Sequence, residues 1–402
     1  MKAEEISIAR ERMKGIVHIT PLDYSKTFST LSQNDVFLKL ENMQKTGSFK
    51  VRGAYNKVFS LSDEELKKGV IAASAGNHAQ GVAYASQNLN VPCTIVMPKG
   101  APISKVQATM GYGAKVVQKG KNFDESLAYA IQLQEETKAT FIHAFDDEAI
   151  IAGQGTVGLE IVEQLPDVDA IIVPIGGGGL IAGIALAVKE KNPNVKIYGV
   201  QAKACPSMKK SIINNKPIAV EAAPTMADGI AVGKPGTLTF DIVHKYVEDI
   251  LLVDEMEIAR TMLMLLERNK LMVEGSGAAS LAALLYNKIP LTNKKIVPVL
   301  SGGNVDMNFI SRIIERGLVE SGRFATFAII IKDKPGELQN LLAHISELDA
   351  NVKTISQNHV GVDIFPGYAQ IVVTLETKNK EHIELIQKTL INKGYDVNLS
   401  SF

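Results

Sequence analysis

The chain has 402 residues, enough for two or three domains with cores of their own. Lys plus Arg and Asp plus Glu stand at 43 each, a balance that excludes the bulk field by which proteins hold nucleic acid or an anionic membrane. Cys93 and Cys205 are the only cysteines, with no CxxC and no His/Cys cluster. A disulfide scaffold and structural zinc are therefore not expected, and a reducing compartment fits. The opening MKAEEISIARERMKG is a charged, helix-like segment without the apolar stretch of a signal peptide. No run approaches the roughly 18 apolar residues that span a bilayer. A cytoplasmic protein acting on a small molecule is expected.

In chain order, short apolar runs alternate with helical segments. Candidate strands are VFLKL (36–40), GVIAA (69–73), CTIVM (93–97), AKVVQ (114–118), TFIHA (140–144), AIIVP (170–174), KIYGV (196–200) and KIVPVL (295–300). Strand–helix–strand repetition implies an α/β protein with open, mostly parallel sheets covered on both faces. The sheet is expected in two parts, a small subdomain at about 52–145 inserted in a larger one.

Near residue 322 the pattern changes. A period-2 strand (Phe324 to Ile331) leads through KDKPGE, with Pro335–Gly336 as punctuation, into a helix. That helix carries Leu338, Leu341, Leu342, Ile345 and Leu348 on one stripe. Strands at 352–360 and 369–376, a helix at 379–393 and a strand at 395–399 complete a βαββαβ order, the ferredoxin-like arrangement. Residues 1–322 and 323–402 are the expected domains.

Ligands of open α/β sheets bind beyond the carboxyl ends of the strands, and three glycine-marked loops fall there. In IIVPIGGGGLIAGIALAVKE (171–190), four glycines lie between a strand and a helix, so backbone N–H groups and the helix N-terminus can close on a phosphate. Gly177, Gly179 and Ala182 satisfy a loose dinucleotide pattern, but the next strand ends Gly199-Val200-Gln201-Ala202 without the ribose-binding acid. SAGNHAQG (74–81) could hold a carboxylate, although a Ser/Asn helix cap explains it by itself. SGGN (301–304) presents Ser301 at a strand tip, as an ordinary turn also would. A carboxylate favoured by a helix N-terminus suffices for Glu274 in EGSGAAS. His78 and His143 lack metal-like spacing and read as structural. Lys50 in KTGSFKVRGA reads, taken alone, as a surface lysine.

Taken in order, GSFKVRGA, SAGNHAQG, GGGGL and SGGN resemble the fold-type-II pyridoxal-phosphate enzymes, in the threonine/serine dehydratase (threonine ammonia-lyase) branch. The last 80 or so residues resemble an ACT domain, a regulatory module of amino-acid enzymes. The resemblance implies pyridoxal 5'-phosphate as cofactor, with Lys50 forming the Schiff base and then serving as base. Gly176, Gly177, Gly178, Gly179 and Leu180 would cradle the phosphate. Asn77 would bond the ring hydroxyl, Ser301 would face the pyridine nitrogen, and Phe49 would pack near the ring. A hydroxyl rather than a carboxylate at that nitrogen makes a weaker electron sink, which suits β-elimination. Ser74, Ala75, Gly76 and His78 would hold the substrate carboxylate.

The implied reaction takes L-threonine to 2-oxobutanoate and ammonia, the first step of isoleucine biosynthesis. Alternatives are a serine-preferring or catabolic dehydratase, a β-replacement synthase and an inactive amino-acid sensor. Related serine racemases carry a second serine where Ala75 stands, so two-base racemisation is not expected. Some relatives hold a cation near the ADG segment; here Asp228 is present but Pro224 replaces the preceding acid, and no divalent metal is expected. The ACT resemblance implies an amino-acid effector, isoleucine or valine, near Asp333, Pro335, Gly336, Leu338 and Asn351, in a homodimer or homotetramer.

Overall fold

Fourteen strands carry the architecture of the residues described by this computed structural model, 1–360 and 364–400. In chain order they are β1 (Leu22–Tyr24), β2 (Asp35–Lys39), β3 (Val70–Ala73), β4 (Cys93–Met97), β5 (Lys115–Gln118), β6 (Thr140–Phe141) and β7 (Ala170–Pro174). Then follow β8 (Lys196–Ala202), β9 (Asp249–Val253), β10 (Lys295–Pro298), β11 (Phe324–Lys332), β12 (Asn351–Asn358), β13 (Tyr368–Glu376) and β14 (Asp396–Ser400). The chain divides into two compact units, Met1–Val305 and Asp306–Phe402.

In the first unit a six-stranded sheet has the order β1-β2-β10-β7-β8-β9, parallel except for β1. A four-stranded parallel sheet, β5-β4-β3-β6, forms the smaller part. Every residue of β7 and of β3 is buried, because helices cover both faces of parallel strands and neither face needs polar residues. The larger core joins Ile171 and Val173 of β7 to Ile181 and Ile184 of the helix Gly179–Lys191.

Two strands were not expected. β1 is a three-residue antiparallel edge without a buried position, too short for a periodic signal. β9 (DILLV) follows the helix Thr237–Tyr246 after only two residues and reads as its continuation. TFIHA is strand only at Thr140–Phe141; His143 Nδ1 then accepts from the N–H groups of Phe145 and Asp146 at 3.2 and 2.8 Å and turns the chain.

The second unit holds the βαββαβ order, with the antiparallel sheet β12-β13-β11-β14. Ala325, Phe327, Ile329 and Ile331 alternate inward on β11 and meet Leu341 and Ile345 of the helix Glu337–Glu347 and Ile386 and Leu390 of the helix Lys380–Asn392. The unit begins before residue 323: the helix Met307–Glu320 belongs to it, packs against β11, and pairs Glu315 with Lys353. A pattern that changes at a strand marks the strand, not the amphipathic helix that precedes it. Gly361–Asp363, Ser401 and Phe402, within the expected 323–402 module, lie outside the described residues.

Candidate active site

The loops after β3, β6, β7 and β10 leave the carboxyl ends of their strands, where parallel sheets place ligand sites. KTGSFK runs beside the loop after β10. Ser48 bridges Gly302, the Phe49 N–H donates to Ser301 O at 3.2 Å, and the Gly303 N–H donates to Gly47 O at 2.9 Å. Lys50 therefore opens the helix Lys50–Phe59 next to Ser301 although the sequence holds them far apart.

Lys50 Nζ donates to Ala144 O at 2.9 Å and lies 5.3 Å from the centre of the Phe49 ring. Its side chain keeps some accessible surface while protein crowds the ammonium. This loss of water pulls its pKa down to about 8, with Glu274 acting the other way. Such an amine carries a usable neutral fraction near neutral pH.

The glycine loop is shaped by its neighbours. Gly178 has φ +101°, which favours glycine. A Cβ on Gly177 would stand 2.3 Å from the Phe145 ring, so only glycine allows that approach. Asp146 Oδ1 and Oδ2 accept from the N–H groups of Thr239 and Thr237 at 3.1 and 3.0 Å, and Thr239 Oγ1 donates to Gly177 O at 2.6 Å. Thus one turn, His143–Asp146, touches both Lys50 and the glycine loop. Among the described residues no protein acceptor takes the N–H groups of Gly176 to Leu180, which head the helix Gly179–Lys191.

In the loop after β3, Ser74 Oγ accepts from the Gly76 N–H at 3.1 Å, and Ser74, Ala75, Gly76 and Asn77 are all half-buried. Buried His78 bonds Ile142 O through Nε2 at 2.9 Å. Burial, reinforced by Lys50, lowers it to about pKa 3, so it is neutral and donates that hydrogen. Asn77 Nδ2 donates to Glu274 Oε1 at 2.7 Å, and Asn77 Oδ1 accepts from Asn304 Nδ2 at 2.8 Å. The sequence offers Glu274 only as a helix-end carboxylate and gives Asn304 no role, because contacts across 197 and 227 positions leave no spacing signal. Asp228 pairs with Lys105 at 3.2 Å, and no group of three metal-ligating side chains occurs among the described residues.

The chemistry of this donor set fits a group bearing an aldehyde and a phosphate. It offers a desolvated amine, a loop of unengaged N–H groups walled so that only glycine fits, and hydroxyls in reserve. Ser301 is buried, and the hydroxyl of Ser48, also buried, lacks a hydrogen-bond partner among the described residues.

An open parallel α/β fold with an amine and an anion loop at its strand ends defines a cofactor enzyme acting on small molecules. The chain belongs to the pyridoxal-phosphate dependent enzymes, whose family model matches residues 14–302. It is 50% identical over 396 residues to the L-threonine ammonia-lyase of Thermotoga maritima, covering 98% of each chain. Among solved structures, maize serine racemase superposes with a TM-score of 0.75 at 38% identity, over 79% of this chain and 98% of that one. The processed threonine deaminase isoform 2 of Solanum lycopersicum superposes with a TM-score of 0.74 at 37% identity, over 78% of this chain and 94% of that one.

The predicted effector residues do not gather in one place. Asn351 stands level with Phe324 through Glu376, whereas Asp333 follows Lys332 at the other end of β11, roughly 30 Å away at about 3.3 Å per residue. Asp333 pairs with His359 at 3.2 Å, Gly336 caps the helix Glu337–Glu347 with φ +92°, Leu338 packs on the core, and Asn351 Nδ2 donates to Glu376 at 3.1 Å. Pro335 lies in the turn between β11 and that helix. Among the described residues no helix is long and apolar enough to cross a membrane.

Proposed function

We propose that the chain is a threonine ammonia-lyase, eliminating the β-hydroxyl of L-threonine to give 2-oxobutanoate and ammonia. The observation that carries this reading is Lys50, an amine at about pKa 8 held by the same turn that walls a glycine loop with unengaged N–H groups. Identity to the Thermotoga maritima ammonia-lyase along almost the whole chain supports threonine as substrate. In this reading Lys50 anchors pyridoxal phosphate, Gly176–Leu180 hold its phosphate, Asn77 meets the ring hydroxyl, Ser301 faces the ring nitrogen, and Phe49 packs near the ring. When bound, the cofactor withdraws electrons from the substrate Cα and so acidifies its proton.

The protein's own part is positional. The N–H groups of Ala75, Asn77 and His78, which have no protein acceptor among the described residues, and the Ser74 hydroxyl bind the substrate carboxylate, which orients the Cα–H toward Lys50. Lys50 Nζ takes that proton once neutral. Water is lost in the elimination and regained when the imine hydrolyses, so the balance is threonine to oxo acid and ammonium. Ala75 offers no acid or base on the opposite side, which disfavours racemisation.

The proposal extends to regulation. The C-terminal unit would bind an amino-acid effector, isoleucine or valine, in a homodimer or homotetramer. Its two candidate segments lie at opposite ends of one sheet, so a site using both takes two copies. A cytoplasmic role in isoleucine biosynthesis belongs to the same reading. The test is 2-oxo acid formation from L-threonine and L-serine, with and without isoleucine or valine. Faster turnover of threonine, inhibited by isoleucine, is expected. A preference for serine would instead establish the serine dehydratase reading, and turnover of neither would sink both.

A further inference from the structure

Glu274 precedes the helix Gly275–Leu285, is 6% exposed, and has no part in the roles above. Its N–H donates to Gly302 O at 3.1 Å, tying it to the loop that presents Ser301. Its Oε1 accepts from Asn77 Nδ2 at 2.7 Å. At the other end of that amide, Asn304 Nδ2 donates to Asn77 Oδ1 at 2.8 Å and also to Thr46 O at 2.7 Å. The Thr46 carbonyl can only accept, so the polarity of the chain is set from the backbone: Asn304 presents nitrogen, Asn77 answers with oxygen, and its nitrogen meets Glu274. Gly302 makes room for the pair, since a Cβ there would come within 2.5 Å of Glu274 Oε1 and 3.1 Å of Asn77 Nδ2.

From this geometry we propose that Glu274 is a positioning residue: it takes one Nδ2 hydrogen of Asn77 and so directs the other to the ring hydroxyl of bound pyridoxal phosphate. The inference rests on the cofactor role given to Asn77 above. The charge state supports it. Burial first, then the Asp228 charge, hold the Glu274 carboxyl up at about 8, against the pull of Asn77, Lys105 and Lys50. A neutral carboxyl orients the amide without setting a negative charge against the phenolic oxygen.

The experiment titrates apoprotein with pyridoxal phosphate, reading the visible band of lysine-bound cofactor and its pH profile, in wild type, Glu274→Gln, Glu274→Ala and Glu274→Leu. Glu274→Gln keeps an acceptor for Asn77 and is expected to bind within about twofold of wild type. Glu274→Ala frees the amide and is expected to bind about tenfold more weakly, the scale of one hydrogen bond. The pH profile of the wild-type band near 8 is expected to differ from that of Glu274→Gln, in which Lys50 titrates but no carboxyl does. Wild-type affinity and spectrum in Glu274→Ala, or equal weakening in the Gln and Ala variants, would overturn the proposal. Should Glu274→Ala fail to fold, Glu274→Leu decides: it fills the space but offers Asn77 no acceptor, so weakened binding supports the inference and wild-type binding ends it. A wild-type protein that takes up no cofactor would refute the reading of the site itself, a result separate from any of these.

Discussion

Lys50 and Arg52 are two crowded cations two residues apart on one helix, and the fold treats them oppositely. Arg52 is 1% exposed and saturated: it reaches Glu41 at 2.7 and 2.8 Å, Glu160 at 2.5 and 3.0 Å, Thr156 Oγ1 at 3.1 Å and His18 O at 3.2 Å. Lys39, wholly buried, completes the cluster through Glu160 at 2.6 Å, Thr20 O at 2.8 Å and Gln164 at 3.0 Å. Two cations thus face two carboxylates. Burial alone would lower Arg52, but Glu41 and Glu160 outweigh it and hold the guanidinium above the ordinary arginine value. Among the described residues Lys50 has a single carbonyl and no paired carboxylate, so burial wins and its proton loosens. The same desolvation locks one charge in place and mobilises the other, and the difference lies only in what stands opposite.

Lys50→Ala is the most severe test of that contrast. Turnover is expected to fall by on the order of 10^4-fold, together with loss of the visible cofactor band. The thermal midpoint should stay near or above wild type, because an underpaired buried cation stabilises nothing. Retained band and activity would remove Lys50 from the site. Arg52→Met should show the reverse emphasis. Leaving Glu41 and Glu160 buried without their partner is expected to cost about 3–5 kcal/mol in urea unfolding. A loss below about 1 kcal/mol would mean that the cluster does not hold the helix. Gly177→Ala comes next: the new methyl meets the Phe145 ring, so about 1–3 kcal/mol of strain and weaker cofactor binding are expected, read by titration of the apoprotein.

The sequence made the two halves of this contrast unequally legible. The strands that lead into the site stood out because buried parallel strands are continuous apolar runs bounded by glycine, and Lys50, Asn77, Ser301 and Gly176–Gly179 come at their ends or beside them. The second unit was legible element by element, since β11 and β13 bury alternate residues. What holds the site in shape was not. Arg52 gives no sign in the sequence of meeting Glu160, 108 positions on, nor Lys50 of meeting Ala144, 94 positions on. Glu274 looked like a helix-end carboxylate because its partner is an amide brought in by another sheet. Periodicity reports burial, and pairing between distant polar groups has no period.

The gentlest probe of the comparison is pH, and it should separate the two cations without mutation. An amine attacks an aldehyde only when neutral, so the rate at which apoprotein takes up pyridoxal phosphate should rise with pH and level off near 8. An ordinary lysine would keep gaining until about 10.5. The same shift appears in stability. Between about 8 and 10.5 the unfolded chain holds the Lys50 proton and the folded chain does not. Lys50 therefore contributes stability above that window, lost as pH falls through it. The urea midpoint of wild-type apoprotein should climb across the window relative to Lys50→Ala. Arg52, charged in both states over this range, adds no such slope of its own. A climb as steep in Lys50→Ala as in wild type would show that the loosened proton had been assigned to the wrong cation.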